Sequence, residues 1–480
     1  MSEAAAKRSV SEGAVVSIGI YAVFTLFYNC FAQTHWGFIL QNVILLIGVG
    51  YLTYFYFRSA AAIEEHPSLA LNKATLFGAL VASLLALSTP NFHSADIYSY
   101  ISPGWQQVHS HVNPYVTLIK DTPGYGTDPL LTKLWSDNPF PYGFTFAHIT
   151  RLVCEIGNGS LVGSYWLFKA LNWIAYLALG AVVYFGGKRL NTPKPELALF
   201  LYAWSPLILL QSLSNAHNDI LMSLSVMVSF VIVSTSFCAL AIPVIVLGSM
   251  VKYVWLFSLP FLFIYLWRNK GWKIATGSAI AGLATLVAVA WRYLPDWQQF
   301  RLREFGSNFN QNRCSIFSTE RDILTGVNKI LFHGHNAAIT QFLPTLMAGT
   351  KLVLITAFVV VSLKVLVKSL ADRNYLNLSK VMEISVLAIT IWICLINAKF
   401  FCWYLIMVLP VAFWLPMKSE VRKLLLVLSA CHLIGLSFVG QSHIVDFTVI
   451  NAAPLIYFLS RYLKFRSGAS GEPKTIVATI

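Results

Sequence analysis

The sequence predicts an all-α, polytopic integral membrane protein, on three observations. Hydrophobic residues fill 57% of the 480 positions, charged residues only 11%, and the mean hydropathy is +0.65. A soluble domain carries roughly 25% charged residues, so this chain holds far more apolar surface than a water-soluble fold can hide. The apolar residues also come in runs near the ~20 residues that a helix needs to cross a hydrocarbon core. Finally, Lys and Arg collect between those runs. A formal charge of +14 invites a nucleic-acid partner, but no soluble face gathers the basic residues. Their spacing is what membrane orientation imposes, which excludes nucleic acid and implies lipid.

Taken in order, Met1–Gly13 carries Lys7 and Arg8 with Glu3 and Glu12. The apolar run behind it is longer than a signal-peptide core and lacks a small-residue cleavage site, so it reads as a retained first span. Spans are predicted over 14–32, 36–57, 71–89, 161–185, 196–213, 218–237, 273–291, 349–367, 381–397, 403–416 (short), 424–440 and 448–465. The stretch 239–267 is apolar too, but Pro243, Gly248, Lys252 and Pro260 interrupt it. A single crossing there would put Arg268, Lys270 and Lys273 on the side opposite Arg58–Lys73 and Lys188–Lys194. Two short helices meeting near Lys252 return them to the same side, as the Lys/Arg bias requires. The expectation is about 12 full spans plus a re-entrant helix pair, with both termini cytoplasmic. Residues 1–465 then form one membrane domain and 466–480 a cytoplasmic tail.

Two large segments fall on the outer side. Residues 90–160 are rich in Pro, Gly, Asn and Tyr, with an amphipathic helix over Tyr142–Glu155; residues 292–348 are polar and basic. Loops of that length are more often functional than connective. The seven cysteines, Cys30, Cys154, Cys238, Cys314, Cys394, Cys402 and Cys431, lack metal-ligand spacing. They read as free thiols, with a Cys154–Cys314 bridge between the two loops as the alternative.

Four clusters carry chemistry. Asp96 lies in His93-Ser-Ala-Asp96-Ile-Tyr98-Ser-Tyr100, directly behind the run 71–89. A carboxylate beside lipid is costly and fits a general base; ahead of an amphipathic stretch it fits a helix N-cap equally well. Tyr98 and Tyr100 either wall that site or belong to the interfacial aromatic belt. The turn Asn215-Ala-His217-Asn218-Asp219 holds more polar side chains than a connection needs, although Asn218 or Asp219 also suits a plain cap. Lys252 is a cation deep in an apolar stretch. At a helix centre it would cost roughly 2.5–3.5 kcal/mol, so it is expected at the tip of the helix pair, facing a lipid phosphate or snorkelling to the interface. Trp403 and Tyr404 follow Lys399 in an outer turn. The arginines of 292–348, Arg313 first among them, suit a phosphate clamp or plain solvation. Around Asp96, His93, His109 and His111 no set of three or four metal ligands stands out, which leaves no cofactor and at most a weakly bound divalent cation near Asp96.

These motifs, in this order, resemble the membrane glycosyltransferases of the GT-C fold that use polyprenyl-phosphate sugars. Among them the chain is most similar to the actinobacterial polyprenol-phosphate-mannose-dependent α-mannosyltransferases of lipomannan synthesis. Asp96, Tyr98, Tyr100, Gly104 and Asn113-Pro114-Tyr115 match that family's first-loop pattern, and Pro141-Tyr142-Gly143 a later Pro-Tyr-Gly. His217-Asn218-Asp219 with Leu221-Met222, Lys252 with Leu259-Pro260, and Trp403-Tyr404 with Leu409-Pro410 match the rest, over about 90–410. Asn215-Ala216 departs from the family's Gly-Gly, Phe144 stands where Pro often follows, and 292–348 has no counterpart in the pattern.

The resemblance implies transfer of mannose from a polyprenyl-phosphate donor to a glycolipid or polysaccharide hydroxyl, on the outer face of a bacterial plasma membrane. Asp96 would deprotonate or orient the acceptor, and Lys252, or else Arg313, would hold the leaving phosphate. His217, Asn218 and Asp219 would line the sugar pocket, with Tyr98 and Tyr100 as its wall and Trp403 and Tyr404 against sugar or prenyl chain. No nucleotide-sugar site is expected. The alternatives are a transporter or lipid flippase, which would concentrate polar residues near the bilayer midplane, and a non-catalytic subunit of an envelope-polysaccharide complex.

Overall fold

The computed structural model describes residues 1–31, 35–300, 316–333, 337–397 and 399–435, and among these it is helical, without a β-strand. Helix α1 (Glu3–Cys30) begins where Ser2 Oγ accepts from Ala5 N–H at 3.3 Å. It pairs antiparallel with α2 (His35–Glu65), so that the Met1 amine meets Glu65 at 2.7 Å. Helix α3 (Lys73–Ser88), capped by Asn72, packs on α1, and Thr25 Oγ1 donates to the Leu85 carbonyl at 2.9 Å. Helix α6 (Leu161–Ala181) follows the first long loop and runs on through a wide turn to Arg189. Next come α7 (Pro195–Ala203) and α8 (Pro206–Ser214), bent by 41° where Pro206 removes a backbone donor.

Helix α9 (Asp219–Val233) leads to α10 (Ala241–Ser249), then a tight turn Tyr253–Ser258, α11 (Leu259–Lys270) and α12 (Trp272–Ala290). As expected, 239–267 is two helices rather than one. Arg268 Nη1 donates to the Asp372 carbonyl at 2.7 Å, which sets the turn after α11 beside the one after α14 (Ala337–Ala371). Lys194 Nζ on the Glu64 carbonyl, at 2.7 Å, and Arg189 Nε on Ser234 Oγ, at 3.0 Å, gather further basic turns at one end. The segment 90–160 lies at the other end.

Six helices among the described residues are long and apolar enough to cross a membrane, and the bent pair α7–α8 makes a seventh. Lys73–Ser88, Asp219–Val233 and Cys238–Ser249 are apolar but shorter. The expected count of about 12 full spans therefore mixes long helices with short and broken ones. Residues 403–416 are not a helical span: a tight turn Cys402–Met407 and the short Leu409–Ala412 sit buried inside the bundle. Irregular backbone at membrane depth is tolerable when protein rather than lipid surrounds it. The run 448–465 and the end of 424–440 lie outside the described residues.

The first long loop is built rather than loose. Helices α4 (Asp96–His109) and α5 (Phe144–Gly157) pack face to face. The second segment, expected as a polar loop, contains α13 (Ile316–Phe332) and the start of α14. Ile316, Ile323, Leu324, Val327 and Leu331 recur at helical spacing, an amphipathic signal that bulk polarity conceals. Arg313 and Cys314 lie outside the described residues. Cys154 is a buried free thiol that donates to the Ile101 carbonyl at 3.3 Å.

Candidate active site

Asp96 is the first residue of α4, not its cap. The cap position is Ala95, no side chain caps this helix, and Asp96 N–H itself donates to Ser94 Oγ at 3.2 Å. The carboxylate is thus released from the capping role and turns inward. Its Oδ2 lies 3.5 Å from His217 Nδ1, beyond a well-formed hydrogen bond, and the side chain keeps 21% exposure. Burial raises the carboxyl above the ordinary carboxylate range, against the pull of nearby Lys252 and the Ser94 hydrogen bond.

The turn after α8 closes over Asp96 from the opposite side. Fully buried Asn215 accepts the backbone N–H groups of both Phe92 and His93 on Oδ1, each at 3.1 Å, and donates to Gln211 Oε1 at 3.1 Å. One carboxamide therefore ties the approach to Asp96 onto the 215–219 turn. From α6, Asn172 Nδ2 donates to the Ser212 and His217 carbonyls at 3.0 and 3.1 Å. Ala216 takes φ +56°, the left-handed region that favours glycine. The departure from Gly-Gly at 215–216 thus has a physical content: a strained alanine, and an asparagine whose side chain makes bonds no glycine can make.

His217 stacks on the Trp403 indole at 3.9 Å and 12°, and Phe401 stacks on the same indole at 4.4 Å and 4°. Both indole faces are covered, so Trp403 presents its edge to any ligand and serves as a platform for His217. The segment carrying it is anchored by Trp255 Nε1 on the Met407 carbonyl at 2.9 Å and by Ser223 Oγ on the Ile406 carbonyl at 2.8 Å.

Neither Asn218 nor Asp219 caps α9 through its side chain. Asp219, fully buried, accepts from Lys252 Nζ at 2.7 Å, and the lysine keeps 14% exposure. Lys252, expected to face a phosphate or to snorkel, has a counter-charge inside the protein, because a cation enclosed by protein is costly without one. The rings of Tyr404 and Tyr142 flank its ammonium at 5.2 and 5.8 Å.

Tyr142 reaches Lys252 because of its neighbour Gly143, where a Cβ would sit 2.4 Å from the Met250 carbonyl oxygen. Backbone meets backbone there: Gly143 N–H donates to Val251 O at 3.3 Å and Phe146 N–H to Met250 O at 3.2 Å. Gly104 is a second close approach, with a virtual Cβ 2.3 Å from the Thr150 carbonyl oxygen. Asn113-Pro114-Tyr115 is a brace: Asn113 Nδ2 donates to Asp296 Oδ2 at 3.0 Å, and Tyr115 OH to the Tyr142 carbonyl at 2.9 Å. Tyr98 stacks on Tyr165 at 6.1 Å, while Tyr100 is buried edge-on against Tyr142 and Phe146.

Asp96, His217, Asp219, Lys252, Trp403 and Tyr404 thus meet in one place, and Asn218 adjoins them. Sequence reasoning missed Tyr142 and His93 as members; membership in a matched Pro-Tyr-Gly and a position three residues before Asp96 were the available signals. Buried atoms without a hydrogen-bond partner concentrate here: both ring nitrogens of His93 and of His217, both amide atoms of Asn218, Asp219 Oδ2 and Gln211 Nε2. Among the described residues no group of three or more His, Cys, Asp or Glu converges as a metal site would require.

A family model described as alpha-(1->6)-mannopyranosyltransferase, N-terminal domain (the MptA_B family), matches residues 5–269, more than half of the chain. The chain belongs to this mannosyltransferase family. The match runs from the first turn of α1 into the last turn of α11 and contains Asp96, Tyr142, His217, Asp219 and Lys252; Trp403 and Tyr404 lie beyond it. No curated protein and no solved structure matches the chain. Family membership makes this polytopic helical protein a glycosyltransferase rather than a transporter or flippase.

Proposed function

We propose that the protein moves mannose from a polyprenyl-phosphate donor to a hydroxyl of a glycolipid or polysaccharide acceptor, in a fold of the GT-C type. The observation that carries this reading is the meeting of a partly exposed carboxylate, Asp96, 3.5 Å from His217, with the Lys252–Asp219 pair beside it. Asp96 takes the acceptor proton as the acceptor oxygen bonds to the anomeric carbon. The bond from that carbon to the phosphate oxygen breaks on the opposite face, and the electron pair leaves with polyprenyl phosphate. A carboxyl whose proton affinity burial has raised is well matched to that task.

Lys252 supplies fixed positive charge to the departing phosphate, and Asp219 holds the ammonium in place between phosphate and pocket. His217, Asn218 and Asp219 carry the unpartnered polar atoms that sugar hydroxyls would satisfy. Tyr404 and the edge of Trp403 border the same space. No cofactor beyond the lipid-linked donor enters this scheme. The pocket opens on the outer face of a bacterial plasma membrane, a placement supported by Arg58, Lys188, Lys194 and Arg268 at the opposite end of the bundle.

Purified protein incubated with polyprenyl-phosphate mannose and a mannan-type acceptor should yield an extended acceptor and free polyprenyl phosphate. Transfer from a nucleotide sugar instead, or from no lipid-linked sugar at all, would overturn the assignment.

A further inference from the structure

His93 is the least explained polar group of the pocket. It lies in the link between α3 and α4, three residues before Asp96. Its backbone is held, because its N–H donates to Asn215 Oδ1 at 3.1 Å. The ring meets Trp403 edge-on at 6.1 Å and 73°, bordering the same indole that His217 covers. Both ring nitrogens are nevertheless shielded from solvent and without a partner. An imidazole that only filled space would leave a donor and an acceptor unsatisfied, at a cost a phenyl ring of the same shape would avoid.

We infer that His93 contacts substrate directly and reads one hydroxyl group of the sugar that Asp96 and His217 surround, an inference that rests on the mannosyl-transfer reading of this site. Burial pushes the imidazole down to about 4, so near neutral pH the ring is uncharged, with one N–H and one lone pair. That pair matches a hydroxyl, which accepts and donates in turn; an uncharged ring is a poor phosphate clamp. The hydroxyl belongs either to the transferred mannose or to the acceptor sugar, and the two differ in which substrate His93 selects.

The test uses full-length protein carrying His93→Phe, which keeps the ring packing on Trp403 and removes the hydrogen bonds, and His93→Gln, which keeps a donor and an acceptor. KM for donor and acceptor is measured separately, with thermal unfolding in the same detergent. His93→Phe should raise one KM by about 3- to 10-fold, the loss of one or two uncharged hydrogen bonds, while His93→Gln recovers part of it and unfolding stays near wild type. A shift in donor KM places the hydroxyl on the transferred sugar, and a shift in acceptor KM places it on the acceptor. Both KM values within twofold of wild type in His93→Phe, or loss of fold in both variants, would overturn the inference. The wild-type rate decides the function reading separately: an active wild type with an indifferent variant removes His93 alone.

Discussion

Replacing Asp96 by asparagine isolates its role as a base, because the substitution keeps shape while removing the proton acceptor. The fold should tolerate it: the side chain caps no helix, and α4 starts from Ala95 without a side-chain cap. A positioned general base contributes roughly 10²–10⁴ in rate. The middle of that range is expected, because the neighbouring carboxylate cannot take over. Asp219 is fully buried and committed to Lys252 at 2.7 Å. Turnover should therefore fall about 10³-fold, or about 4 kcal/mol of transition-state stabilisation. The assay follows label from polyprenyl-phosphate mannose into acceptor at saturating substrate, alongside unfolding to confirm an intact fold. More than a tenth of wild-type turnover from Asp96→Asn would refute the reasoning. The pH profile gives a second reading of the same residue. A base works only when deprotonated, and burial raises this carboxyl while Lys252 lowers it. Activity should thus be lost as pH falls through a limb lying above the ordinary carboxylate range, and Lys252→Met should move that limb to still higher pH.

Three further outcomes follow from the same geometry. Lys252→Met or Asp219→Asn alone strands one buried partner of a 2.7 Å pair and should destabilise by about 3–5 kcal/mol, with the double variant well short of the sum; a double-mutant cycle by detergent unfolding that proves additive would deny the ion pair. Ala216→Gly should relieve the φ +56° strain and raise stability by about 1 kcal/mol, whereas lower stability would show that the turn does not resist its alanine. Gly143→Ala drives a Cβ to 2.4 Å from a backbone oxygen. It should cost roughly 1–3 kcal/mol and depress transfer by moving Tyr142 off Lys252; a wild-type melting profile with full activity would contradict the close approach.

Much of the frame was legible in the chain. Runs such as 161–185 announce their helices because lipid and protein interior alike demand satisfied backbone. Interruptions at Pro243, Gly248, Lys252 and Pro260, with charge placement, divided 239–267 into two helices, since Arg268 and Lys270 must share an end with the other basic turns. Bulk hydropathy misled elsewhere. It drew a span over 403–416, where buried aromatics such as Trp403 and Trp414 make an irregular segment as apolar as a helix. It drew a loop over Ile316–Phe332, where the amphipathic pattern forms a helix.

By itself, then, the sequence determined an all-helical membrane protein, two polar clusters beside Asp96 and Asp219, and a chemistry class through motifs in a set order. Composition and periodicity act locally, which is why they can be read along one strand of letters. Only the tertiary structure decided who meets whom. Lys252 pairs with a carboxylate 33 residues earlier in the chain, and His217 lies between Asp96 and Trp403, 121 residues after one and 186 before the other. Such contacts come from how helices pack and where Gly104 and Gly143 let backbones touch, and no local pattern encodes them.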